Sequence, residues 1–265
     1  MMRRLAPLAL MLMALLGGCV TPMPSGSGAG ASRPWSELPP ANAAEGRAKV
    51  HVDLGVAYFD VGRNDVALDE AGIALNDSPG YPPAYHLRAL VYMAIDDVAA
   101  ARENFEQALS RAPGDPDFNN SYGWFLCTQG REQEGIERLA AAARNPYYRY
   151  ATRPYTNAGL CHLRLKQDGA AEVQFTHALQ ADPQNGEALY QLAAIAYRKG
   201  NFEGARSQLI RLHQLRGPSP ASAWLGLRAE RRLGNRDGEA SYAAQLRSRF
   251  ASSPEYQLMS QGKYE

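Results

Sequence analysis

Catalytic machinery is what this 265-residue sequence most plainly lacks. Its histidines, His51, His86, His162, His177 and His213, form no His-x-x-x-His pair, so no metal site is expected. It carries no Walker loop and no Gly-x-Ser-x-Gly elbow. We therefore expect no enzyme, no cofactor and no small-molecule substrate. Charge of one sign is missing too: Lys and Arg total 28 against 27 Asp and Glu, a net +1. That balance argues against nucleic-acid binding, which needs clustered cations against phosphate. Long Val/Ile/Thr runs are scarce, whereas Ala, Leu, Arg and Gln are abundant, which is helical composition. No apolar run is long enough for an ordinary membrane span of roughly 20 residues.

The nearest approach to one is Leu5 to Leu16, an apolar run behind the basic head Met1–Arg4. It ends in Leu16-Gly17-Gly18-Cys19, which resembles the lipobox of bacterial lipoproteins. The resemblance implies a signal peptide over residues 1–18, cleavage before Cys19, and lipidation of Cys19. With Val20 rather than Asp in the next position, it implies a lipid anchor in the outer membrane, on the periplasmic face. Each buried methylene adds about 0.8 kcal/mol, so several acyl chains anchor stably where one does so marginally. Residues 19–45 are rich in Gly, Ser and Pro and read as a flexible tether. Trp35 stands alone in it, either docked on the body or exposed. The spacing Gly26-x-Gly28-x-Gly30 is not a phosphate loop, because no strand precedes it and no helix follows closely.

From residue 46 onward a 34-residue period governs the chain. The pattern is that of the tetratricopeptide repeat: a large residue at position 4, Leu-Gly at 7 and 8, Tyr at 11, Ala at 20 and 27, Pro at 32. A window from Ala48 places His51, Leu54, Gly55, Tyr58, Ala67, Ala71, Ala74 and Pro79 in register. Further windows cover 82–115, 116–149, 152–185, 186–219 and 221–254, the last retaining Trp224 and Ala240 but losing the glycine. The expected fold is all-α, a right-handed superhelix of about six helix-turn-helix repeats. Small residues at 8, 20 and 27 let helices approach closely, and Gly62, Gly130 and Gly200 are expected at positive φ in the intra-repeat turns.

Three stretches are more specific than the repeat. They are Asn119-Asn120-Ser121-Tyr122-Gly123-Trp124-Phe125-Leu126-Cys127, Asn145-Pro146-Tyr147-Tyr148 with Tyr155-Thr156-Asn157-Ala158-Gly159-Leu160-Cys161, and the tail Phe250 through Ser253-Pro254-Glu255-Tyr256. Together with the lipobox they resemble the type IV pilus biogenesis/stability lipoprotein family (PilF/PilW type). Ala251, where a proline is expected, and Ser121 depart from it without touching the anchor or the packing positions. The resemblance implies a pilotin: a scaffold that binds the type IV pilus secretin and promotes its outer-membrane localisation and multimer assembly. The alternative is a repeat lipoprotein regulating cell-wall synthesis.

In such a superhelix the first helices line the concave face. The repeat positions that point there hold Val52, Val56 and Phe59; His86, Leu90 and Met93; Asn120 and Trp124; Thr156, Leu160 and Leu163; and Tyr190 and Tyr197. A groove of this kind suits an extended or helical partner segment, although Trp124 and Phe59 are equally compatible with packed core. Cys127 and Cys161 lie on neighbouring first helices, and an oxidising periplasm favours a disulfide between them over two buried thiols.

Overall fold

The structure is a computed structural model that describes residues 31–264. The signal segment, Cys19 and the first part of the tether lie outside the described residues. Among the described residues, twelve helices form six antiparallel pairs: α1 (Ala43–Asp60) with α2 (Asn64–Asp77), α3 (Pro82–Ala94) with α4 (Val98–Arg111), and α5 (Pro116–Thr128) with α6 (Glu132–Ala143). Then follow α7 (Thr152–Arg164) with α8 (Asp168–Ala181), α9 (Gly186–Arg198) with α10 (Phe202–Arg216), and α11 (Pro220–Arg232) with α12 (Arg236–Arg249). A short α13 (Pro254–Ser260) packs back on the last pair, its Met259 buried among Trp224, Leu227 and Leu246. The described residues contain no strand.

Each pair is made by the same local chemistry. Two residues beyond the end of every first helix the chain turns through positive φ, at Gly62, Asp96, Gly130, Lys166, Gly200 and Gly234. Glycine fills four of the six because it lacks the Cβ that disfavours this conformation. Prolines begin α3, α5, α11 and α13, where their missing N–H has no helical partner to lose. Side chains of Asp97, Asp115, Asn185, Asn201 and Asn235 accept backbone N–H groups of the helices they precede.

Packing explains the small residues. Ala67, Ala74, Ala101, Ala108, Ala171 and Ala178 are fully buried. A Cβ on Gly123 would lie 2.8 Å from the Gly135 carbonyl oxygen, and one on Gly159 would lie 2.6 Å from the Phe175 ring. The sixth pair did keep its close approach. Helix α11 begins at Pro220 rather than Ala221, and a Cβ on Gly226 would lie 2.6 Å from the Tyr242 ring, although position 8 of the expected window holds Arg228.

The expected tether does not reach residue 45. Helix α1 starts at Ala43, capped by the Asn42 side chain on the Glu45 N–H. Before it, Trp35–Glu37 form a 3-10 turn, and Trp35 packs against buried residues of both the first and second pairs. Its indole meets the Tyr81 ring edge-on, with centroids 5.8 Å apart. Trp35 gives a segment whose remaining composition is that of a linker an apolar contact with the body.

Candidate functional site

The first helices carry the row of side chains that repeat positions assign to a groove, and the structure divides that row in two. In the N-terminal half, Val52, Val56, His86, Leu90 and Asn120 line one cavity of about 410 Å³, together with Tyr81, Leu87 and Phe118. Lys49, Asp53, Asp117 and Arg153 supply charge around it. Helix α1 contributes Val52 and Val56 one turn apart, and α3 contributes His86 and Leu90 at the same spacing, so each pair shares one helix face. Phe59 and Met93 lie outside the cavity, packed against the cores of the first and second pairs.

His86 is the most constrained polar group there. Its ring lies 4.6 Å from Phe118 and 6.1 Å from Phe105, centroid to centroid. Its Nε2 is sealed from solvent and has no hydrogen-bond partner. Burial lowers its pKa to about 4, so the imidazole is neutral at physiological pH. Leaving this nitrogen unpartnered in an apolar setting costs folding free energy.

The middle of the row is not open. Trp124 packs against Cys127, Leu139, Ala158 and Cys161. Thr156 donates its hydroxyl to the Thr152 carbonyl at 2.8 Å and accepts from Asn185 Nδ2 at 2.8 Å. Leu160 and Leu163 pack on the core of the fourth and fifth pairs. Cys127 and Cys161 form a disulfide, with Cα atoms 5.7 Å apart and exactly one period of 34 residues between them. It staples α5 to α7 across the irregular connection that joins the third and fourth pairs.

Tyr190 and Tyr197 belong to a second cavity, of about 580 Å³, near the C-terminal end. Trp224, Arg228 and Arg232 complete its wall. Arg228 stacks over Tyr197 at 4.6 Å and donates from Nε to the Tyr264 carbonyl. Repeat-position reasoning missed these arginines because they lie on the last pair, where the pattern has decayed. It also missed Tyr81, a buried residue just before α3, whose ring connects Trp35 to the N-terminal cavity.

Two segments, residues 86–153 and 163–230, each match a tetratricopeptide repeat family model. With six helix pairs, small residues at the close approaches and a groove on the first helices, the chain belongs to the tetratricopeptide-repeat proteins. Within that class it is homologous to the type IV pilus assembly protein PilF of Pseudomonas aeruginosa, at 28% identity over 207 residues, covering 78% of this chain and 82% of that one. The solved structure of Pseudomonas aeruginosa PilF superposes with a TM-score of 0.78 at 26% identity, over 84% of this chain and 100% of the other. That of PilW, described as a widely conserved type IV pilus biogenesis factor, gives 0.74 at 28% identity, over 83% and 99%.

Proposed function

We propose that this chain is a type IV pilus biogenesis factor of the pilotin kind. It is a non-enzymatic lipoprotein anchored through Cys19 in the outer membrane, which binds the pilus secretin and promotes its localisation and multimer assembly there. The observation that carries this reading is the homology to PilF, which extends over most of that protein rather than over isolated repeats. The N-terminal cavity supports it chemically. An apolar trough with Lys49, Asp53, Asp117 and Arg153 around it suits a helical or extended segment that brings apolar side chains and complementary charge. The rings of Tyr and Trp at the C-terminal cavity are residue types that commonly anchor partners.

The test is to replace Cys19 by alanine and locate the secretin. Secretin that remains monomeric, or multimerises in the inner membrane, is the expected result. Normal multimers in the outer membrane would refute the escort mechanism.

A further inference from the structure

We propose that the connection between the third and fourth helix pairs, with the docked strap beside it, is a membrane-facing surface that rests on anionic phospholipid. The proposal builds on the lipid-anchor reading of Cys19 and adds which face of the body meets the bilayer.

The strap, residues 32–38, runs backward along the array. It leads into α1, at the array's beginning, yet Asn145 Nδ2 donates to the Ser32 carbonyl at 2.8 Å, and Arg149 donates to Glu37 Oε1 at 2.8 Å. Arg33 lies over the Tyr147 ring, 5.8 Å from its centroid. The described residue nearest in sequence to Cys19, Ala31, therefore emerges beside Tyr147, at the middle of the array. Cys19 precedes Ala31 by 12 residues, a length that reaches at most about 40 Å fully extended.

The surface at that point has the composition of a bilayer interface. Tyr147 and Tyr150 are 48% and 50% exposed, whereas Tyr148 between them is buried, its hydroxyl donating to Asp117 at 2.9 Å. One tyrosine thus pins the connection, which leaves its neighbours facing outward. Arg33 lies over Tyr147 and Arg153 over Tyr150, Arg144 and Arg149 are exposed on the same connection, and the acids at this surface are Glu37, bound by Arg149, and Asp117 behind Tyr148. Among the described residues Arg33, Arg144 and Arg153 form no ion pair. Amphipathic tyrosine rings at headgroup depth, flanked by unpaired cations, match an anionic lipid surface.

The experiment uses the full chain, purified with its native N-terminus. Hydrogen exchange is followed over residues 144–153 in detergent and after reconstitution in vesicles of phosphatidylethanolamine and phosphatidylglycerol, with intact mass reporting acylation. We expect exchange to slow several-fold in the vesicles. The protection should be lost in the double variant Arg33→Glu, Arg144→Glu, whose helicity should match wild type. Equal exchange in vesicles and detergent would overturn the proposal. A chain without acyl groups would sink the anchor reading instead. The same vesicles added to that soluble chain would then decide the surface: protection of 144–153 supports it, and its absence overturns it.

Discussion

The backbone N–H of Trp35 donates to Oδ2 of Asp115 at 2.8 Å, linking positions 80 residues apart. The other carboxylate oxygen, Oδ1, accepts the Phe118 N–H at 3.0 Å and so caps α5. One side chain thus starts the third helix pair and holds the strap.

Asparagine at this site can keep only one of the two bonds, because its amide offers one acceptor. Asp115→Asn should therefore retain the cap and release the strap. Hydrogen exchange over residues 35–38 should rise by an order of magnitude while total helicity stays unchanged. Trp35→Ala should release the strap as well and lower stability by about 2 kcal/mol, less than a fully buried tryptophan because the ring is only half-buried. Unchanged exchange at 35–38 in both variants would show that the strap is held elsewhere.

The Cys127–Cys161 bond closes a loop of 34 residues. Loop-closure entropy for that length corresponds to about 3–4 kcal/mol of stabilisation. Reduction, or the double change Cys127→Ala, Cys161→Ala, should lower the urea midpoint accordingly. The largest gain in exchange should fall in α5 to α7. A loss spread evenly over all six pairs would contradict local bracing.

Glycines should separate into two classes by their surroundings. Gly123→Ala places a methyl group 2.8 Å from the Gly135 carbonyl oxygen and from Leu139, where backbone cannot yield, so a loss of about 2 kcal/mol or more is expected. Gly72, within α2, has no atom within 4 Å of an added Cβ. Gly72→Ala should raise stability by roughly 0.5–1 kcal/mol through helix propensity. Denaturant unfolding of the two variants checks the opposite signs.

His86 gives the fold an acid-sensitive point. Its folded pKa, about 4, lies below the ordinary 6.5, so the native state binds fewer protons than the unfolded chain between those values. Stability from this group is complete above pH 6.5 and is lost as pH falls toward 4, by on the order of 3 kcal/mol. Asp115 acts in reverse: burial raises its pKa from 3.8 to about 6, so its charge costs stability above pH 6 and that cost fades as pH falls toward 3.8. His86→Phe should remove the first contribution and leave the second, so the variant should lose less stability than wild type between pH 6.5 and 4. An identical pH dependence in the two proteins would show that His86 is not the responsible group.

The helix pairs were readable in the sequence because their cause is periodic. Ala67, Ala101 and Ala171 are buried at one repeat position, and the helices α3, α5, α7 and α9 begin where their windows begin. The pairing of Cys127 with Cys161 followed from the same periodicity. The strap was not readable, since no spacing connects Trp35 to Asp115 and the segment's composition is that of a linker. The groove was partly so: repeat position says which way a side chain points, but not whether its neighbours fill the space. That is why Val52 and His86 line a cavity while Trp124 and Thr156 are occupied by internal contacts.

A stack of similar modules has no natural end, since the last hairpin presents the same sticky flank to which another would add. Here that flank is occupied: α13 covers it, and Tyr264 stacks on Trp224 with centroids 5.6 Å apart. Helix α13 thus takes, on the last pair, the place that the first helix of a further hairpin would take.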